Sequence, residues 1–290
     1  MTRHFFCFGL GYSAGILAGR LKHAGWSISG TATTESGAAR LTTQGYRGLV
    51  FDGRCAVHAI SDALNEATHV LLSIPPSAAG DPAFLQFGDA MAQSPSLKWI
   101  GYLSTVGVYG DANGGWVDEE TPARPASERG QRRLEAETQW LSLGQRSGKC
   151  VMIFRLPGIY GPGRSPIDDL RAGTARRIVK PGQVFNRIHV ADIASALEAG
   201  IARPGAGRVY NVTDDEPAPP QDVVAYAADL LGLAPPPDLD FATAALSPMA
   251  RSFYSESKRV KNARLKNELG VQLAFPTYRE GLKALASQSG

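Results

Sequence analysis

Short apolar runs alternate, in the first half of the chain, with longer segments whose apolar residues recur at helical spacing. The short runs predict strands over residues 4–9, 26–31, 47–51, 69–74, 99–104 and 150–156. The longer segments predict helices over residues 13–24, 35–44, 57–66, 83–93 and 127–143. Strands that are apolar on both faces and alternate with helices indicate a parallel sheet covered on each side. We therefore predict an α/β fold, a Rossmann-type doubly wound parallel sheet.

The second half of the chain is less regular. Helical patterns cover residues 190–201, 221–231, 257–269 and 278–286, a strand pattern covers 209–212, and a proline-rich connector covers 234–240. We predict one domain over residues 1–160, to which residues 186–215 return. Residues 161–290 are expected to form mainly a smaller C-terminal lobe.

Composition excludes several classes of function. The net charge of +3 is too small to predict nucleic-acid binding. Cys7, Cys55 and Cys150 show no Cys-x-x-Cys spacing, which argues against a disulfide framework and favours a reducing, cytoplasmic location. No uninterrupted apolar run is long enough to span a membrane, and no motif predicts a metal site.

A glycine-rich turn follows the first predicted strand. It reads Gly9-Leu10-Gly11-Tyr12-Ser13-Ala14 and leads into a helix, which is the context that a dinucleotide-binding loop requires. Gly9 permits the tight turn, Gly11 lets a pyrophosphate approach the backbone, and Ala14 allows close packing of helix and strand. The amides at the helix start, from Tyr12 to Ala14, are expected to hold the anion.

The end of the second predicted strand carries hydroxyl groups where an acidic residue usually binds the adenosine ribose. Thr31, Thr33 and Thr34 stand there, and Arg40 follows on the next helix. Without a carboxylate, nothing at the strand end repels a 2′-phosphate. We expect NADP as the cofactor, with NAD as the alternative because Glu35 follows directly.

Several further motifs appear in a fixed order along nearly the whole chain. They lie at residues 103–110, 117–122, 154–164, 187–193, 210–214 and 268–270. Together with the glycine-rich turn, they resemble the NAD-dependent epimerase/dehydratase family, the extended short-chain dehydrogenases/reductases. The resemblance implies a Rossmann domain and a C-terminal substrate lobe, with the cofactor between them. It also implies cofactor contacts by Ser73, Ile74 and Pro75 after the fourth strand, and by Pro157, Gly158 and Ile159 after the sixth.

The chain departs from that family at the catalytic residues. Thr105 matches the family's Ser/Thr at the end of the fifth strand. The family's Tyr-x-x-x-Lys is absent, because residues 110–148 contain neither tyrosine nor lysine. By alignment on the flanking residues, Arg129 stands at the tyrosine position and Arg133 at the lysine position. Arginine stays protonated near neutral pH and cannot act as a general acid–base, although Arg133 can still donate hydrogen bonds to ribose hydroxyls.

Two interpretations of these arginines stay open at this stage. Arg129 and Arg133 are four residues apart, so they share a helix face and could bind the carboxylate or phosphate of an anionic substrate. Alternatively, they pair with Glu137 and its neighbours on a solvated face. Other candidates for a proton donor are Tyr109, Tyr160 and the pair His189-x-x-Asp192, for which structural roles are the simpler expectation.

Two functions are consistent with this sequence. One is an NAD(P)-dependent oxidoreductase or epimerase with a non-standard proton donor, acting on a small molecule that has yet to be identified. The other is a catalytically inactive dinucleotide-binding sensor or regulatory protein. Neither interpretation requires nucleic acid or a membrane, and a homodimer is compatible with both.

Overall fold

Strands and helices alternate along the chain in the predicted order. The computed structural model describes residues 3–55, 57–205 and 207–287. The elements up to the end of the fifth strand are β1 (His4–Phe8), α1 (Tyr12–His23), β2 (Ser27–Ala32), α2 (Glu35–Thr43), β3 (Arg47–Val50), α3 (His58–Glu66), β4 (His69–Leu72), α4 (Pro82–Gln93) and β5 (Trp99–Thr105).

The remaining elements are shorter on average. After a 3-10 helix (Val106–Tyr109), they are β6 (Trp116–Val117), α5 (Glu128–Ser147), β7 (Cys150–Leu156), β8 (Gly158–Tyr160), α6 (Pro166–Arg171), β9 (Arg177–Val179), β10 (Arg187–His189), α7 (Val190–Ala202) and β11 (Arg208–Asn211). The last elements are α8 (Pro220–Leu230), β12 (Asp238–Asp240), α9 (Pro248–Phe253), β13 (Arg259–Val260), α10 (Ala263–Leu269) and α11 (Tyr278–Ser287).

Seven strands form one parallel sheet in the order β11-β7-β5-β4-β1-β2-β3. Strand β1 lies between β2 and β4, with Phe5 opposite Ile28 on one side and His69 on the other. The strand order runs outward from β1 in one direction and from β4 in the other, as a doubly wound fold requires. The predicted Rossmann-type fold class is confirmed.

The core of this sheet is rich in aromatic side chains. All five residues of β1 are buried, as expected for a central strand that helices cover on both faces. The ring of Phe8 lies 5.5 Å from the rings of both Phe51 and Phe87. Edge-to-face and tilted rings at this spacing pack favourably, so they fix the carboxyl end of β1 against β3 and α4.

The chain divides into two units that each interrupt the other in sequence. The sheet unit consists of Met1–Thr105, Ser127–Arg155 and Ala194–Tyr210, and the second unit of Val106–Ala126, Leu156–Ile193 and Asn211–Gly290. This division differs from the predicted boundaries in two respects. The segment that returns to the sheet is shorter than 186–215, and residues 106–126 join the second unit because β6 pairs with β13 there.

The second unit contains three short parallel strand pairs, β8 with β10, β9 with β12, and β6 with β13. Two predictions are wrong here. The predicted helix over 257–269 is replaced by β13 and the shorter α10, because the amides of Arg259 and Lys261 bond to carbonyls of Gly115 and Val117. The predicted connector over 234–240 ends in β12. Among the described residues, no helix is both long and apolar enough to cross a membrane.

Candidate functional site

The candidate site lies in the sheet unit, at the carboxyl ends of β1 and β4. These neighbouring strands mark the point where the strand order changes direction. In open α/β sheets, ligands bind in the crevice outside the carboxyl ends at such a switch point. The turn that contains Gly9 and Gly11 follows β1 directly, and Ser73 and Ile74 follow β4.

Gly9 forms a turn that no other residue would fit without strain. Its φ of +76° lies in the left-handed region, and a Cβ atom at this position would lie 2.6 Å from Cγ2 of Ile74. Its amide donates a 2.8 Å hydrogen bond to the hydroxyl oxygen of Thr31 on β2. The turn is therefore held between the ends of two neighbouring strands.

The N-terminus of α1 is exposed. Gly11 is its N-cap residue, in extended backbone, and as a glycine it supplies no side-chain cap. Gly11 is exposed, whereas Ala14 is fully buried against the sheet. Helix N-terminal amides and the helix dipole favour negative charge. Tyr12, Ser13 and the open space at Gly11 therefore fit the pyrophosphate of a dinucleotide.

The hydroxyl groups at the end of β2 have different surroundings. Thr31 is 2% exposed and its oxygen accepts the Gly9 amide, so its structural role is to hold the turn. Thr34 is exposed and caps α2 by accepting the Gly37 amide at 3.1 Å. Thr33 is exposed as well, and Arg40 lies in the last turn of α2. No carboxylate occupies β2 itself.

The segment after β4 packs against the glycine turn. The Ser73 amide donates to the carbonyl of Phe8 at 2.9 Å, and this bond continues the pairing of β4 with β1. Ile74 is half-buried beneath Gly9, and Pro75 is exposed. Ser73 and Ile74 therefore lie next to the glycine turn.

The end of β5 carries two neighbouring hydroxyl residues. Thr105 is the last residue of the strand and is half-buried. Ser104 is buried, and its Oγ has no hydrogen-bond partner among the described residues. An unsatisfied buried hydroxyl is uncommon, and such groups occur at functional sites. Sequence reasoning selected Thr105 and missed Ser104, whose only sequence signal is its place before Thr105.

Arg133 on α5 is bound to β5. Its Nη1 donates to the carbonyl of Leu103 at 2.5 Å and lies 3.3 Å from the Tyr102 hydroxyl. Its guanidinium lies 5.6 Å from the centre of the Tyr102 ring. Burial raises the pKa of Tyr102 above its ordinary value, so this phenol stays neutral. One of the N–H donor groups of Arg133, Nη1, is thus already hydrogen-bonded within the sheet unit.

The alternative in which Glu137 pairs with these arginines on a solvated face is wrong. Glu137 is 2% exposed and forms a bidentate pair with Arg155 on β7, at 3.1 and 2.7 Å. The exposed pair on α5 joins Arg132 to Glu128 instead. Helical spacing alone could not distinguish these partners, because β7 approaches α5 only in the folded chain.

Comparison with known proteins places this chain in a family. No family model matches the sequence. Protein YeeZ of Escherichia coli strain K12 is 31% identical over 278 residues, which cover 92% of this chain and 94% of YeeZ. The chain belongs to the YeeZ family. A second relative, the 3-diazoavenalumate denitrifying reductase of a Streptomyces species, is 29% identical over 180 residues, 58% of this chain and 55% of that protein.

Solved structures share the fold of this YeeZ-family protein. A functionally unknown conserved protein from Silicibacter pomeroyi is 48% identical and superposes with a TM-score of 0.90 over 99% of both chains. The dTDP-glucose 4,6-dehydratase of Bacillus anthracis, solved in complex with NAD, superposes with a TM-score of 0.79 at 16% identity, covering 99% of this chain and 96% of its own. The fold is therefore that of NAD-dependent epimerases and dehydratases.

In this YeeZ-family chain, the tyrosines considered as proton donors have structural roles within the second unit. The hydroxyl of Tyr109 is buried and donates to Oδ1 of Asn211 at 2.8 Å. The hydroxyl of Tyr160 donates to the carbonyl of Thr277 at 3.4 Å, and burial raises the pKa of Tyr160 above its ordinary value. The phenol of Tyr160 therefore stays protonated near neutral pH.

His189 and Asp192 each stabilise the start of α7 and its surroundings. Nδ1 of His189 accepts the amide of Ala191 at 3.2 Å, and burial lowers the pKa of His189 to about 4. The carboxylate of Asp192 accepts the amides of Ala274 and Phe275 at 2.7 and 3.0 Å. These contacts match the expected structural helix start.

The remaining predicted contacts also lie in the second unit. Pro157, Gly158 and Ile159 surround the start of β8, where Ile159 is opposite Ile188 of β10. A further group that sequence reasoning missed is Asp214, a buried carboxyl whose Oδ2 has no partner among the described residues. Burial raises its pKa to about 8, although the charge of Arg187 opposes that shift.

Proposed function

We propose that this chain is an NAD(P)-dependent oxidoreductase that works without the Tyr-x-x-x-Lys pair. The observation that carries the proposal is the left-handed turn at Gly9, which leads into the exposed N-terminus of α1 at the switch point of the sheet, a place that favours an anion. Fold neighbours solved with NAD and a relative named as a reductase support it.

The dinucleotide would extend from this turn along both halves of the sheet. The amides of residues 12–14 would bind the pyrophosphate, and the exposed hydroxyl of Thr33 would lie next to the adenosine ribose. The nicotinamide half would lie over the ends of β4 and β5, near Thr105. When bound, the nicotinamide supplies or accepts the hydride. The chain's own residues position it and surround the acceptor.

We propose NADP as the preferred cofactor. The end of β2 offers hydroxyl groups and no carboxylate, so it does not repel a 2′-phosphate. The variant Thr33→Asp introduces that carboxylate at an exposed position, and Thr33→Asn is its neutral control. We expect the ratio of NADP to NAD affinity to fall at least about tenfold in the aspartate variant, equal to ~1.4 kcal/mol, and to stay unchanged in the asparagine variant.

Calorimetric titration with both oxidised and both reduced dinucleotides tests the proposal directly. We expect binding of NADP and NADPH by the wild type and loss of binding by Gly11→Trp, whose side chain would fill the space in front of α1. Circular dichroism checks that the variant is folded. Wild-type protein that binds none of the four dinucleotides, or a folded Gly11→Trp variant that binds them unchanged, would overturn the proposed function.

A further inference from the structure

If the proposed function holds, the end of β5 and the start of α5 decide whether the negative charge that develops on the acceptor during hydride transfer is stabilised or protonated. Helix α5 connects β5 to the parallel strand β7, so it runs back antiparallel to them from the carboxyl edge of the sheet. Arg133 is at the level of Leu103, to which it donates a hydrogen bond. Arg129 lies one helical turn, about 6 Å, closer to the edge, and Thr105 lies two strand residues, about 6.6 Å, closer. Arg129 and Thr105 are therefore at about the same level along the sheet, near this edge.

This pair of elements can stabilise an anion but cannot deliver a proton. An arginine guanidinium donates hydrogen bonds and stays protonated near neutral pH. Tyr102 is fully buried beneath Arg133, and Glu137 is buried and paired with Arg155. Among the described side chains of β5 and α5 named here, the exchangeable protons near the edge are those of the Ser104 and Thr105 hydroxyls, and an alkyl hydroxyl is about as weak an acid as water. The site is thus built to bind a negative oxygen.

Possible hydride acceptors differ in whether their reduction requires a proton during the step. Reduction of an aldehyde or ketone produces an alkoxide, whose conjugate acid is about as weak an acid as water, so a proton must arrive during the step. Reduction of a quinone produces a hydroquinone anion, and phenols have a pKa of ~10. A neighbouring guanidinium lowers that pKa further, so the phenolate can form and leave as an anion.

We propose that the acceptor is a quinone-type compound whose reduction leaves a phenolate, held by Arg129 at the end of β5. The bond between C4 of the reduced nicotinamide and its hydrogen breaks, and the hydrogen moves with both electrons to the quinone. The nicotinamide is oxidised by two electrons, and the quinone becomes a hydroquinone monoanion. Its phenolate oxygen takes a proton from water after release.

An equilibrium measurement tests the phenolate site without turnover. A nitrophenol, whose absorbance reports its ionisation, is titrated with pH in the presence of the protein and oxidised dinucleotide. We expect its apparent pKa to fall by at least about one unit, a tenfold change, when it binds the wild type. Arg129→Gln should abolish that shift and Arg129→Lys should restore part of it. Arg132→Gln, which breaks only an exposed pair with Glu128, is the matched control and should behave as the wild type.

A kinetic comparison tests the acceptor class. Oxidation of NADPH is followed with menadione, a naphthoquinone, and with 1-tetralone, a ketone of similar size. We expect turnover of menadione with a flat pH profile between about pH 6 and 9 and no solvent deuterium isotope effect, and at least about hundredfold slower turnover of tetralone. Arg129→Gln should lower kcat/KM for menadione at least about tenfold while the calorimetric affinity for NADPH stays unchanged.

Three results would overturn this inference while leaving the proposed function in place. They are comparable turnover of both acceptors, an unshifted nitrophenol pKa in the wild type, and binding of NADPH without oxidation by either acceptor. Failure of the proposed function has a different signature, because the calorimetric titration would then show no dinucleotide binding at all.

Discussion

Three glycines in the first turn and helix should respond differently to the same substitution by alanine. At Gly9, a side chain must adopt φ of +76° and place its Cβ atom 2.6 Å from Ile74. The left-handed backbone costs about 1–2 kcal/mol, and relief of the steric overlap costs about 1–3 kcal/mol more. We expect Gly9→Ala to lower the free energy of unfolding by about 2–4 kcal/mol.

At Gly11, we expect substitution by alanine to weaken dinucleotide binding and to leave stability nearly unchanged. Its backbone is extended, with φ of −102°, and the nearest heavy atom to an added Cβ is the Gly9 carbonyl oxygen at 4.0 Å. Gly11→Ala should therefore change stability by no more than about 0.5 kcal/mol. Its methyl group would stand where the pyrophosphate approaches the backbone. We expect affinity for NADPH to fall at least about tenfold, or ~1.4 kcal/mol.

Gly15 is the matched control for both variants. It lies within α1, and no heavy atom is within 4 Å of an added Cβ. Alanine in a helix interior is more stable than glycine by about 0.5–1 kcal/mol, so Gly15→Ala should stabilise the fold and leave affinity unchanged.

Urea denaturation and calorimetry on the same preparations measure both quantities. A Gly9→Ala variant as stable as the wild type would refute the argument from backbone strain. A folded Gly11→Ala variant with wild-type affinity would show that no phosphate approaches this turn.

Other buried groups give predictions of stability. Glu137→Gln leaves the guanidinium of Arg155 buried without its counter-charge, and urea denaturation should show a loss of about 3–5 kcal/mol; a loss below about 1 kcal/mol would mean that the pair is hydrated. The pKa of Asp214 is raised to about 8 from its ordinary 3.8, so wild-type stability should fall as pH rises through this range, and Asp214→Asn should flatten the decline in thermal melts. An identical pH slope in both proteins would contradict that assignment. The pKa of His189 is lowered from 6.5 to about 4, so its contribution is complete above pH 6.5 and lost as pH falls to about 4. His189→Asn, which keeps an acceptor for the helix start, should melt with a weaker dependence on acid, and a steeper one would be evidence against the buried neutral imidazole.

The parts of the fold that sequence predicts best are those whose cause is local. The turn at Gly9 follows from a strand, two glycines and a helix within a few residues, and the structure shows the left-handed backbone that only glycine adopts easily. Likewise, the apolar runs of β1 and β4 predict central strands because nothing but a parallel sheet with covered faces buries both sides of them.

The parts that sequence reasoning missed depend on partners that are distant along the chain. Residues 257–269 have a helical pattern, yet pairing of β13 with β6, more than 140 residues earlier, replaces the start of that helix. The partner of Glu137 was missed for the same reason, because Glu137 lies on α5 and its partner Arg155 lies on β7. Tertiary pairing overrides local preference in both places, and one sequence does not reveal which distant residue will be the partner.

The contacts of Arg133 explain why an arginine at this position differs from the family's lysine in more than charge. Its planar guanidinium donates to the Leu103 carbonyl and the Tyr102 hydroxyl and lies over the Tyr102 ring, with several donors in a fixed plane where lysine has one compact ammonium. Its charge also lies close enough to the buried carboxyl of Asp81 to lower that group's pKa against the larger effect of burial, which raises it. Arg133 is therefore part of the support of β5 and α4. Restoring a tyrosine and a lysine at positions 129 and 133 would remove that support without rebuilding a proton relay, because the charges and hydrogen bonds beneath α5 are arranged around a permanent cation.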